Sequence, residues 1–428
     1  MNLNEFVNAI TSGSLDGKLG MLCGASDRAV LRQRARYLSA AENFSRLHPT
    51  CGDIRVFSAP GRIEIGGNHT DHQHGRVLEA AVGTDAIAVV SPAENGKIHI
   101  TSEGFPDIVI DLGDTDMRSG EVNTSAALVR GIAAGFAEAG VEAGGFDAYI
   151  SSDIAAGSGL SSSAAFEVLI AYIIDRLFNE GKSSPFELAR ICRRAENVYY
   201  GKASGLMDQT VSASGGFVSV DFSAPDEPSI DRISFDFADA GYSLCITDTG
   251  EDHSAAAQEY SAVAAEMKSI AAALGKEYLA ECSEEEFYEK LPELRKSCGD
   301  RSVLRAAHFF ADSRRAELEA EALSVGDTIE FFRLVNESGA SSCELLQNIY
   351  SCGEPGKQGL SIALMMSRRF LGENGAVRVH GGGFGGSILS FVPNYLAEEH
   401  CAEMERIFGA GSCRLLNIRP VGAYELEI

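Results

Sequence analysis

The stretch from residue 146 to residue 178 constrains the fold most: FDAYISSDI, then AAGSGLSSSAA, then FEVLIAYIIDRLF. The first piece reads as a strand, and the last is apolar enough to be a buried helix. A glycine- and serine-rich turn between them offers successive backbone N–H groups and a helix N-terminus, both suited to phosphate oxygens. Gly157, Ser158, Gly159 and Leu160 lead into Ser161, Ser162 and Ser163, whose hydroxyls can cap the helix or reach a phosphate or Mg²⁺. No GxxxxGK[ST] string occurs, so this is not an ordinary P-loop. A serine-capped helix after a flexible turn is the plain alternative. The full string GSGLSSSAA is much rarer than a bare Gly-x-Gly-Ser, and that favours a phosphate site.

The rest of the chain reads as a mixture of helices and strands. Residues 1–50 are helical and polar, and IRVFSA, AIAVV, KIHITSE and IVIDL read as strands. SAALVRGIAAGFAEAG reads as a helix ending on glycine. Ser184, Pro185 and Glu187 make a capping box that starts another helix. GGFVSVDF is a strand, and SAPDEPS (223–229) is the best candidate for a domain boundary. Beyond it come strands near FDF and YSLCITD, long Ala/Glu-rich helices from about 254 to 371, and AVRVH-GGGFGG-SILSFV. GGGFGG matches G-x-G-x-x-G formally, but a strand-like segment follows where a dinucleotide fingerprint needs a helix. A tight loop approaching a ligand or another lobe fits better. The expected fold class is α+β with two lobes, residues 1–222 and 223–428. A chain of 428 residues is about the right length for two domains.

A formal net charge of -25 makes nucleic acid and anionic membrane poor partners, although it does not prevent one nucleotide from binding locally. Ten cysteines show no CxxC pair and no Cys/His spacing of a zinc site, so they read as free thiols in a reducing compartment. MNLNEFVNAITSG lacks a basic region followed by an apolar one, and no apolar run is long enough to span a bilayer. A cytoplasmic location is expected. Nothing in the sequence specifies an oligomeric state.

Two further segments concentrate polar chemistry. APGRIEIGGNHTDHQHG (59–75) crowds Arg62, Glu64, Asn68, His69, Asp71, His72 and His74 between strand-like regions. Such density belongs on a surface or in a binding site. Metal ligation by His69, Asp71, His72 and His74 is disfavoured by their crowding, and recognition of a ligand's hydroxyls suits them better. In GKASGLMDQTVSASG, Asp208 sits in a glycine-bordered turn. A carboxylate there, kept ionised by an arginine, could orient or accept the proton of a hydroxyl attacking a γ-phosphate.

Together these motifs resemble the GHMP superfamily of small-molecule kinases, and the galactokinases within it, from about residue 45 onward. APGRIEIGGNHTDHQHGRVLEAAV is similar to the galactokinase signature, GSGLSSSAAFEV to the phosphate-binding motif, and AENVYYGKASGLMDQTVSASGG to the segment with the catalytic aspartate. HSAAAQEY, FFRLVNESGASS and HGGGFGGSILSFV resemble later family segments. The resemblance implies an N-terminal lobe of the ribosomal-S5 domain-2 type, a ferredoxin-like C-terminal lobe, and ATP on residues 157–163. It also implies Asp208 and Arg62 as the catalytic pair, and Mg²⁺ held by Ser162 or a neighbouring serine with Glu196. Asn68, His69, Asp71, Gly205 and Tyr260 would contact the sugar, whose anomeric hydroxyl would be phosphorylated. The family pattern GRxNLIGEHTDYN departs here at Glu64, Asn68, His72 and Gln73. Asn68 replaces a Glu that in the family binds hydroxyls at one end of the ring. Galactose is the favoured substrate. Galacturonate, N-acetylgalactosamine, and a non-catalytic sensor of ATP and sugar are the alternatives.

Overall fold

In the computed structural model, β1 (Arg55–Gly66) and β2 (Arg76–Ala93) pair antiparallel from Arg55↔Val90 to Gly66↔Leu78 and form the spine of the larger sheet. The structure describes all residues except 155–158, 203, 226 and 252–256. The spine strands take different neighbours along their length. β5 (Gly145–Ser152) pairs with the C-terminal half of β2, and β6 (Phe217–Asp221) with its N-terminal half. β3 (Lys97–Ser102) lies parallel to β5 and carries β4 (Ile108–Asp111) at its far edge. β7 (Ser229–Ile233) extends the sheet past β6, and β12 (Tyr424–Glu425) flanks β1.

AIAVV does not alternate because β2 is covered on both faces. Helices Ser125–Glu138, Ser162–Phe178 and Pro185–Arg194 cover one, burying Val129, Phe136 and Leu169 against Phe57, Ala88 and Phe146. Helices Leu3–Ser12 and Asp27–Leu47 cover the other, through Phe6, Tyr37 and Phe44 against Val56, Ile87 and Val89. The Ser184–Glu187 capping box forms as expected, with Pro185 in the first turn.

The smaller sheet is antiparallel in the order β11-β8-β10-β9, with β8 (Tyr242–Asp248), β9 (Ala376–His380), β10 (Ser387–Pro393) and β11 (Cys413–Leu416). Helices separate β8 from β9, a short loop joins β9 to β10, and helix Ala397–Phe408 precedes β11. This is the ferredoxin-like β-α-β-β-α-β arrangement.

Two features differ from the sequence-based reading. FDF (235–237) is not a strand: Asp236 Oδ1 accepts from the Ala238 N–H at 2.8 Å and starts a turn. Phe237 instead packs among Phe217, Phe331 and Phe391, with ring centroids 5.7, 5.5 and 5.1 Å away. Residues of both lobes share this core, including Ile63 and Leu78 of the larger sheet. The second difference concerns where the chain changes sheets. It leaves the larger sheet only after β7, and it returns at the Val82↔Ile418 bridge and at β12.

Candidate active site

The sequence sets Arg62 between strand-like regions, and in the structure β1 runs on to Gly66 and holds it on the strand itself, at an irregularity in the β1–β2 register. Asp208 lies in the first turn of helix Met207–Ser214. The two meet in a fork: Arg62 Nε donates to Asp208 Oδ1 at 2.8 Å and Nη2 to Oδ2 at 2.9 Å. Such bidentate contacts are the strong kind of charge-assisted hydrogen bond. Burial alone would raise the Asp208 pKa, but Arg62 and a hydrogen bond from Ser161 outweigh it and hold the carboxylate below its ordinary range. The Asp208 side chain remains 30% exposed, so a substrate can reach it.

The phosphate-loop candidate docks on the same arginine. The Gly159 carbonyl accepts from Arg62 Nη1 at 2.6 Å, and the Leu160 carbonyl accepts from the Arg62 main-chain N–H at 3.1 Å. Gly61 permits this approach, since a Cβ there would lie 2.7 Å from the Leu160 oxygen. Ser161 does not use its side chain as a helix cap. It adopts a left-handed conformation (φ 56°) and donates its hydroxyl to Asp208 Oδ2 at 2.5 Å. Ser162 opens the helix and Ser163 is exposed. Gly157 and Ser158 lie outside the described residues.

Of the expected sugar contacts, four gather. His69, in a left-handed conformation, places Nε2 2.9 Å from the Gly382 carbonyl, and its ring meets Tyr260 edge-on at 5.4 Å. Tyr260 lies across Gly382, where a Cβ would fall 2.1 Å from its ring, and the loop 381–386 thereby closes one side of the site. Asp71 Oδ2 would be 3.2 Å from a Cβ on Gly205. Asn68 does not join them. It is fully buried, donating through Nδ2 to Glu64 Oε1 at 2.7 Å and to the Gly381 carbonyl at 2.8 Å. Its Oδ1 accepts from Asn348 Nδ2 at 2.8 Å and Ser342 Oγ at 3.3 Å. His74 stacks on Tyr278 at 3.7 Å, and the described ligand atoms of residues 69–74 form no three-membered metal cluster.

Glu196 sits on the π-turn Ala195–Tyr200, a helical irregularity of the kind that often marks functional sites. Its Oε1 accepts from Lys202 Nζ at 2.8 Å and its Oε2 from Gln209 Nε2 at 3.0 Å. The same amide reaches Glu167 Oε2 at 3.1 Å, while Glu167 Oε1 and Gln209 Oε1 are buried with no partner. The carboxylate and amide oxygens here are hard donors of the kind a magnesium ion takes, and two of them are buried without a partner, while Lys202 would compete with the ion for Glu196.

Several residues here were not singled out from the sequence. Glu79, wholly buried on β2, lies 3.0 Å from Arg62 Nε and backs it. His380 accepts from the Glu64 N–H through Nε2 at 3.2 Å, so its proton resides on Nδ1. That nitrogen is buried without a partner, 2.9 Å from where a Gly159 Cβ would be. Burial, reinforced by Arg62 and Arg378, lowers the His380 pKa to about 3 and keeps the ring neutral. A histidine directly before a glycine run was the available signal. Nothing local marked Glu79.

A two-sheet α+β fold with a glycine-serine turn docked on an Arg–Asp fork defines a GHMP-type small-molecule kinase, and the comparisons agree. The family model "GHMP kinases N terminal domain" matches residues 127–216, and "Galactokinase galactose-binding signature" matches residues 42–92. A galactokinase of Streptomyces coelicolor is 33% identical over 339 residues, covering 79% of this chain and 84% of that protein. Human galactokinase is 30% identical over 86% of this chain and 91% of its own length. The crystal structure of Lactococcus lactis galactokinase complexed with galactose superposes with a TM-score of 0.77 at 24% identity, covering 91% of this chain and 99% of that one. Methanococcus jannaschii mevalonate kinase follows at a TM-score of 0.61 and 14% identity, over 86% and 99% of the two chains. Within the GHMP kinases, the chain belongs to the galactokinase family. No described helix is long and apolar enough to cross a membrane.

Proposed function

We propose that this chain transfers the γ-phosphate of ATP to the anomeric hydroxyl of galactose. The observation that carries the reading is the accessible Asp208 carboxylate, gripped by Arg62 and by Ser161 of the glycine-serine turn. It joins a proton acceptor, a cation and a phosphate loop within one hydrogen-bonded set. The galactose-binding signature and the galactokinase relatives support the choice of sugar.

In this reading Asp208 orients the attacking hydroxyl and takes its proton, and Arg62 balances charge on the transferred phosphoryl group. The loop through residues 157–163 holds the phosphates, with the neutral His380 adding a donor through Nδ1. His69, Asp71 and Tyr260 hold the sugar. Mg²⁺, when bound, supplies charge neutralisation at the phosphate oxygens. Glu196 and Ser162 would hold it, the 57% exposed Lys202 swinging away from Glu196 to make room. Glu196→Gln is expected to raise the Mg²⁺ concentration for half-maximal activity about tenfold or more. An unchanged Mg²⁺ requirement would remove Glu196 from that role.

The test is ADP release with ATP and Mg²⁺ against galactose, N-acetylgalactosamine, galacturonate, glucose, arabinose and a no-sugar blank. Fast turnover on galactose alone is expected. Faster turnover on galacturonate, or none on any sugar, would overturn the reading.

An acidic sugar is disfavoured because the Asn68 amide is already committed to Glu64 and Gly381. Relative to the family pattern, the carboxylate and amide at positions 64 and 68 have changed places, and the two side chains touch. Asn68→Glu alone would bury a second carboxylate against Glu64 and is expected to cost about 1–3 kcal/mol of stability. Adding Glu64→Asn is expected to restore most of it, as read from urea-denaturation midpoints. A single variant as stable as the parent would show that the two positions are not coupled.

A further inference from the structure

Outside the Arg62–Asp208 site, three cysteines and a histidine from distant parts of the chain meet inside the C-terminal lobe. Cys245 on β8 and Cys413 on β11 are diagonal neighbours on one sheet face, because the register pairs Cys413 with Thr247 and Leu415 with Cys245. Helix Ala397–Phe408 packs against these strands with His400 and Cys401 near its start. Ligand atoms of Cys245, His400 and Cys401 lie within 4.8 Å of one another. Cys401 Sγ is 3.9 Å from Cys245 Sγ and 3.1 Å from Cys413 Sγ. These separations straddle the roughly 3.7 Å that tetrahedral zinc–sulfur bonds of about 2.3 Å impose.

His400 supplies an independent indication. It is fully buried, and its Nε2 lies 2.7 Å from Ser367 Oγ, itself 2.9 Å from Ser390 Oγ. Its Nδ1 is buried with no partner. An imidazole fixed by a hydrogen bond at one nitrogen and bare at the other is the usual state of a metal-ligating histidine. A Cys401–Cys413 disulfide would leave Cys245 and that nitrogen unexplained.

We infer that Cys245, His400 through Nδ1, Cys401 and Cys413 form a Cys3His site for a structural zinc ion. The ion would tie helix Ala397–Phe408 to the β8–β11 edge of the smaller sheet, replacing the protons of the three thiols. The spacing 245…400–401…413 matches no short zinc signature, so a reading of local spacing passes over it.

The test uses the intact protein, purified under reductant, stripped with a chelator and titrated with Co²⁺. Thiolate-to-cobalt charge-transfer bands saturating at about one equivalent, and abolished by an equivalent of Zn²⁺, are expected. Zn²⁺ should also raise the melting temperature of the stripped protein. Cys245→Ser/Cys413→Ser should lose the bands, while Cys343→Ser, which removes an exposed thiol, should keep them. No bands in the parent protein, bands that survive the double substitution, or a Cys401–Cys413 disulfide in freshly purified protein would each overturn the proposal.

Discussion

Replacing Asp208 with asparagine is expected to lower kcat by about 10²–10⁴ while leaving galactose and ATP affinity within a few-fold. The amide keeps the shape, but it removes the charge that Arg62 grips and the basic oxygen that a sugar hydroxyl would use. Direct ligand binding by calorimetry, beside ADP release, separates lost chemistry from lost binding. A variant that binds both ligands and turns over at the parent rate would remove Asp208 from the mechanism. A parent protein that binds but never turns over would mark a sensor. The same residue sets a pH expectation. Because Arg62 and Ser161 hold the Asp208 pKa below its ordinary range, its loss of charge falls in the acid region. Ser161→Ala should move the acid limb of the pH–rate profile upward, toward neutrality.

The second large effect concerns stability. Arg378, on β9, is fully buried and reaches across to β1, donating to the Ile65 carbonyl and, at 3.0 Å, to Glu64 Oε1. Arg378→Met would leave Glu64 without that cation and is expected to cost about 3–5 kcal/mol, because breaking a buried pair strands a charge. Adding Glu64→Gln should recover part of the loss, since no charge then remains to strand. The cost should depend on pH in a defined direction. Burial, opposed by Arg378 and Arg62, already pushes the Glu64 pKa up to about 7 from its ordinary 4.5. The stabilisation from a raised carboxylate pKa is full below 4.5 and is lost as pH rises through about 7. Without Arg378 the pKa rises further, so the variant should suffer less at acid pH than in mild alkali. Urea denaturation at both extremes checks this, and an equal loss at each would count against a stranded charge.

What the sequence disclosed and what it hid divide along contact distance. The Arg62 and Asp208 segments, the glycine-serine turn and the Ser184–Glu187 box each carry their meaning within a few residues, and local chemistry made them legible. The ferredoxin-like lobe followed from the family resemblance more than from periodicity. The Arg378–Glu64 bond spans 314 positions, and the cluster of Cys245, His400 and Cys401, with Cys413 against Cys401, also draws on distant parts of the chain. No local period or spacing encodes such meetings. Ser161 shows a subtler failure. A serine before a helix ordinarily caps it, but a carboxylate held nearby competed for the hydroxyl and won. Asn68 shows another: its position in the signature suggested a sugar contact, while its neighbours drew it inward.

The return of residues 418–425 to the larger sheet bears on how the protein is made. Arg419, fully buried, reaches Ser58 Oγ at 2.6 Å and Asp85 Oδ2 at 3.3 Å, and Glu425 takes Arg55 and Arg176. Domains emerging from a ribosome usually fold in the order of synthesis. Here the first lobe to emerge lacks two of its ion-pair partners, Arg419 and Glu425, until the last residues arrive. Residues 1–233 would wait through the making of the whole second lobe with Asp85 held by Arg36 but lacking Arg419, and with one edge of β1 unpaired. A fragment cut between the lobes is therefore expected to be less stable than the intact protein, since it lacks the Arg419 and β12 contacts.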